Sequence, residues 1–90
     1  MRVRYLQPAR AAIRHILAAV YAEDPEAAAR LAVRLEDAGA RLGRFPRLGR
    51  AGKVPDTYEL VVAHTSYIMS YRLRGEYVEI LDVRHSARNA

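Results

Sequence analysis

The chain has 90 residues, of which 51% are hydrophobic, and it carries a formal net charge of +5 and no cysteine. That length makes one small domain and the apolar content excludes a disordered chain, while the lack of Cys excludes disulfides and thiolate metal sites and fits a reducing compartment. Fourteen of the fifteen basic residues are Arg, a composition that points to an anionic partner, and no apolar run approaches the ~20 residues of a membrane span.

In chain order, Val3 and Tyr5 alternate with Arg2, Arg4 and Leu6, which predicts a first strand at a sheet edge. The opening MRVRYLQPAR has no apolar signal core, so a cytoplasmic location is expected. Pro8 suits the first turn of a helix, and Ile13, Ile16, Leu17, Val20 and Tyr21 then form one apolar stripe. Glu23-Asp24-Pro25-Glu26 is a break and restart, with Asp24 as N-cap and Pro25 at the first helical position. Ala28, Leu31, Leu35, Ala38 and Leu42 are the buried stripe of a second helix that ends near Gly43. The short connection makes the pair an antiparallel hairpin.

Residues 44–56 lose periodicity. Their two Pro and two Gly predict a loop, a basic arm of Arg44, Arg47, Arg50 and Lys53 with Phe45, Leu48 and Val54 as anchors into the core. Three strands follow. Tyr58, Leu60 and Val62 alternate in the first, and Tyr67, Met69, Tyr71 and Leu73 in the second. Arg74-Gly75 separates the second from the third as a two-residue turn ending in Gly. Pairing Leu73 with Glu76 sets Tyr71 opposite Val78, Met69 opposite Ile80 and Arg72 opposite Tyr77. One sheet face then collects Met69, Tyr71, Val78 and Ile80 and meets the helices. The other collects Ile68, Ser70, Arg72, Tyr77, Glu79 and Leu81 and is the candidate working surface. The fold class is α+β in the order β-α-α-β-β-β, an antiparallel sheet packed on the helical hairpin, one domain over residues 1–90.

His15, His64 and His85 have no metal-ligand spacing, Gly49 and Gly52 lack a strand-to-helix phosphate loop, and Ser66, Ser70 and Ser86 lack a nucleophile elbow. No metal or cofactor is expected. The one chemical constellation is at the end of the last strand. There His85 could act as general acid near an RNA phosphate, with Arg84 and Arg88 stabilising charge.

The ordered set Ala28-Ala29-Arg30, Leu42, Phe45-Pro46, Leu48-Gly49-Arg50, Gly52, Val54-Pro55, Glu59-Leu60-Val61, Tyr67, Tyr71-Arg72, Val78-Glu79-Ile80-Leu81, Val83 and His85-Ser86-Ala87-Arg88 resembles the RelE/ParE superfamily of type II toxin–antitoxin toxins. The likeness spans nearly the whole chain. RelE-like members cut mRNA on the ribosome with strand-borne basic residues and an acid or base near the C-terminus. Here Ile68 stands at their strand Arg, and Glu59 and Val61 at their Lys positions, while His85 and Arg88 remain. ParE-like members lack the nuclease set and poison DNA gyrase, and the long hairpin from Pro8 to Gly43 fits them better. The resemblance therefore implies a ParE-like toxin, non-enzymatic and cytoplasmic, held in a toxin–antitoxin hetero-oligomer by an antitoxin with an acidic segment. Antitoxin contacts are expected at Arg10, Arg14, Arg34, Arg72 and Tyr77, and target contacts at Arg84, His85 and Arg88. The alternatives are a ribosome-dependent endoribonuclease using His85 and Arg88, and an inactive member kept as a partner-binding module.

Overall fold

A computed structural model describes residues 1–88, with Arg88 described for its backbone alone. The elements are β1 (Arg2–Tyr5), α1 (Gln7–Glu23), α2 (Pro25–Arg44), β2 (Arg50–Ala51), β3 (Tyr58–Val61), β4 (Tyr67–Arg74), β5 (Tyr77–His85) and a 3₁₀ turn (Ser86–Arg88). The strands form one sheet in the order β1-β5-β4-β3-β2, with both helices on one face. Among the described residues no helix is long and apolar enough to cross a membrane.

Asp24 alone joins the helices. Its N–H closes α1 on the Val20 carbonyl, and its carboxylate accepts from the N–H groups of Glu26 and Ala27 at 3.1 Å each, capping α2. The expected α2 stripe of Ala28, Leu31, Leu35, Ala38 and Leu42 is buried in full. Burial of a Leu such as Leu42 is worth roughly 1.5–3 kcal/mol. In α1 the stripe is only half-buried, and Tyr21 at its end is exposed. The α2 helix continues through Gly43 to Arg44 and is closed by the Phe45 N–H on the Arg41 carbonyl.

The sheet is α+β as expected but mixed rather than wholly antiparallel: β1 runs parallel to β5, and the other pairs are antiparallel. The extra strand β2, a plain loop by its sequence, adds a reversal that brings β5 back alongside β1 in the same direction. The β4–β5 turn also differs. The loop is Gly75-Glu76, with Gly75 first at φ 58°, and the pairs are Leu73 with Val78 and Tyr71 with Ile80. Gly at the first loop position suits a II′ turn. Pairing is thus displaced by two residues from expectation, and a two-residue slip leaves every side chain on its face. Tyr71, Met69, Val78 and Ile80 do enter the core. Beyond them Leu81 is an extra residue opposite the Tyr71/Ser70 step. This bulge lets Ile80 and Val83 both point inward.

The greatest difference lies in residues 44–56. Phe45, Leu48 and Val54, expected to reach inward, are 57%, 40% and 63% exposed. The loop is anchored from the opposite direction. The fully buried Tyr71 sends its hydroxyl out of the core to donate to the Pro46 carbonyl (2.8 Å) and accept from the Gly49 N–H (2.9 Å). A Cβ on residue 49 would sit 2.8 Å from that hydroxyl oxygen and from the Glu59 carbonyl, so the chain can come this close only as Gly.

Candidate functional site

The open sheet face carries two acid-centred clusters. Glu79 on β5 lies opposite Arg4 of β1 and Arg72 of β4. Arg72 Nε donates to its Oε1 at 2.8 Å, and Arg4 approaches its Oε2 at 3.1 Å. The Arg4 guanidinium also covers the Tyr77 ring at 3.7 Å, a cation–π contact. Glu79 is 5% exposed. The hydrogen bond from Arg72, then the charges of Arg72, Arg4 and Arg74, hold its carboxyl below the usual 4.5 against the opposing push of burial. Across the sheet Glu59 is held by Arg84 at 3.0 Å, with Arg50 at 3.8 Å, and Arg84 also donates to Ser70 Oγ at 3.0 Å. The working surface expected from sequence is therefore no plain cationic plate. Each carboxylate sits between two guanidiniums, and half of the Arg charge there is answered internally.

A groove of about 750 Å³ lies between β1 and α1. Arg10 and Arg14 of α1 line it with Val3, Arg4, Tyr5, Ile13 and Tyr77. One side is thus cationic and the floor apolar. β1 is a terminal strand of the sheet. Arg2 and Leu6 donate inward to the Glu76 and Ile80 carbonyls, and strand alternation turns the backbone groups of Val3 and Tyr5 the other way. Of the five residues expected to meet an antitoxin, Arg10, Arg14 and Tyr77 come together here. Arg72 is on the open face, one residue pair away through Glu79. Arg34 stands apart, in a cleft of about 170 Å³ with Asp37, Arg41, Leu60 and His64.

Of the residues expected to touch a target or do chemistry, the described side chains of Arg84 and His85 do not converge. Arg84 faces the open side and is bonded to Glu59 and Ser70. Its neighbour His85 points to the helical side, as alternation along a strand requires. There it packs edge-on against Tyr67, with ring centroids 5.2 Å apart, and its Nδ1 accepts the Ala87 N–H at 3.1 Å. The Arg88 side chain lies outside the described residues. His85 does share a cavity of about 670 Å³ with His15 of α1, Tyr67 and Asp82. Helical spacing puts His15 on the surface without a neighbour, and nothing in local sequence signals a cavity shared with a residue 70 positions away. Among the described residues no group of His, Asp or Glu could hold a metal ion.

The family model described as the ParE toxin of the type II toxin–antitoxin system parDE matches residues 3–90. A Sinorhizobium fredii protein named "Putative toxin Y4kP" is 39% identical over 85 residues, covering 94% of this chain and 88% of its own. Among solved structures, the chromosomal ParDE system of P. aeruginosa superposes with a TM-score of 0.86 at 19% identity, over 94% of this chain and 95% of that one. The intact E. coli RelBE toxin–antitoxin complex gives 0.64 at 15% identity, over 93% and 94%. Both structural likenesses concern the fold.

Proposed function

Since the chain belongs to the ParE toxin family of type II toxin–antitoxin systems, we propose that it inhibits DNA gyrase by binding it and is neutralised by a cognate antitoxin whose acidic segment lies in the β1–α1 groove. The observation that carries the antitoxin half is the convergence of Arg10 and Arg14 beside an apolar floor next to a terminal strand. An extended or helical acidic peptide with a few apolar residues matches that groove in charge and shape. The gyrase half rests on family membership and on the separation of His85 from the Arg84 guanidinium, which lie on opposite faces, the latter bonded to Glu59 and Ser70.

The test is inducible expression with separate readouts. A gyrase inhibitor triggers DNA-damage signalling and blocks supercoiling by purified gyrase, and co-expression of a cognate antitoxin restores growth. Arg10→Ala/Arg14→Ala is expected to weaken antitoxin binding about tenfold or more, since hydrogen bonds to charged groups are worth roughly 1.5–3 kcal/mol, and to leave gyrase inhibition intact. Ribosomal mRNA cleavage abolished by His85→Ala would replace this reading with the endoribonuclease one. Harmless expression without the antitoxin would replace it with a partner-binding module.

A further inference from the structure

The net charge of this chain is localised. Of the fifteen basic residues, five fall within residues 38–55, which hold none of the ten acidic ones, while the rest of the chain carries ten of each sign and is neutral. The whole formal +5 therefore belongs to residues 38–55: the last turns of α2, the loop after it, β2 and the four residues beyond β2. Arg41, Arg44, Arg47 and Arg50 are all exposed. Arg47 donates to the Tyr58 hydroxyl at 3.1 Å, so it keeps its full charge. Arg50 stands 3.8 Å from a Glu59 that Arg84 already holds at 3.0 Å.

This loop is shaped rather than slack. Tyr71 holds Pro46 and Gly49, and Thr57 closes the far end by accepting from Gly52 N–H through its carbonyl and donating to the Val54 carbonyl. An ordered loop that turns Phe45 and Leu48 outward between its arginines presents a contact surface. It lies at the β2 side of the sheet, with three strands between it and the β1 side where the groove opens.

We propose that residues 41–50 bind the sugar–phosphate backbone of duplex DNA, with Phe45 and Leu48 making apolar contacts beside the phosphates. A run of exposed arginines without interleaved acid is what backbone binding asks for. A single-strand reader needs several aromatic platforms in series, and Phe45 is the only aromatic residue of this segment. An acidic protein partner is the rival occupant, and competition by polyglutamate separates the two. The choice of DNA over RNA duplex rests on the gyrase reading, since a toxin seated on a DNA-bound enzyme has the duplex at hand. Binding at the β2 side leaves the β1–α1 groove accessible.

The test uses the intact chain and a short fluorescent duplex, with gyrase absent, so that its result is independent of gyrase inhibition. Binding with a Kd on the order of 10⁻⁴ to 10⁻⁶ M and a steep salt dependence is expected. Arg44→Ala/Arg47→Ala should weaken it about tenfold and flatten the log–log salt slope by nearly two, about 0.9 for each phosphate no longer neutralised. Because Arg47 also holds Tyr58, Arg41→Ala/Arg44→Ala serves as a second variant and should act alike, both retaining the parental thermal transition. Arg10→Ala/Arg14→Ala removes the same charge elsewhere and should leave the slope unchanged. Equal weakening by that control would mean diffuse attraction and overturn the proposal. So would polyglutamate competing as well as DNA, an RNA duplex binding more tightly than DNA, or no binding at all.

Discussion

The open sheet face and the loop after α2 use arginine in opposite ways. On the face, Arg4, Arg72 and Arg84 sit on strands whose register brings each to a glutamate, and their charge is spent on holding β1, β5, β4 and β3 together. On the loop, Arg44 and Arg47 stand in a stretch with no acid, and the backbone beneath them is fixed by a neutral phenol instead. The contrast teaches that abundance of Arg says little by itself. What separates a structural guanidinium from an available one is whether the fold places a carboxylate opposite it, and that depends on pairing.

The sharpest way to break the contrast is to remove the phenol. Tyr71→Ala empties a fully buried site beneath the loop and should destabilise the chain by about 3–5 kcal/mol, the range for large core aromatics, as read by urea unfolding. Tyr71→Phe keeps the ring stacked on Tyr58 and removes only the two loop bonds. It should cost about 1–3 kcal/mol and speed exchange of the Gly49 amide while the sheet-face amides keep their protection. If Gly49 exchanges no faster, the loop is held by something other than Tyr71.

Titration separates the two regions next. Burial, the largest cause, raises the Tyr71 hydroxyl above its usual 10.0, assisted by Tyr58 and offset in part by the Gly49 N–H. The folded state thus favours the neutral phenol. Its stabilisation is present below pH 10 and fades as pH rises through the folded value, so the alkaline limb of a stability–pH curve should soften in Tyr71→Phe. Glu79 behaves in reverse. Its folded pKa is depressed, so its stabilisation is present above pH 4.5 and is lost as pH falls through the lower folded value. Glu79→Gln should lower stability at neutral pH and flatten the acid limb, leaving the alkaline one as it was. The smallest effect belongs to Arg47→Ala. An exposed side chain with one hydrogen bond should change stability by about 0.5 kcal/mol or less, although the same residue matters for phosphate binding.

Much of this architecture can be read from residue order. The α2 stripe, the Asp24 cap and the inward face of β4 follow from spacing and from one polar side chain in the right place. The failures are equally physical. Gly75 marks the turn but does not say which loop position it fills, hence the two-residue slip. β2 is two residues long between glycines and leaves no periodicity to detect. Phe45, Leu48 and Val54 look like anchors because they are apolar, yet the anchor is a tyrosine 22 residues beyond Gly49. At the candidate site, Arg10, Arg14 and Tyr77 stand out as basic and aromatic residues off the apolar stripes. That they share a groove depends on β1 lying parallel to β5, which no local pattern encodes.

The extra residue at Leu81 has a consequence for comparing relatives. Upstream of it even-numbered positions of β5 face the helices, and downstream odd-numbered ones do. A homologue lacking a single residue between Ile80 and Val83 must either lose the kink or flip everything after it, delivering its counterpart of Arg84 to the interior and exporting that of Val83. Gap placement at this point in an alignment therefore decides which terminal side chains are equivalent, and a misplaced gap would assign histidine and arginine to each other's side of the molecule.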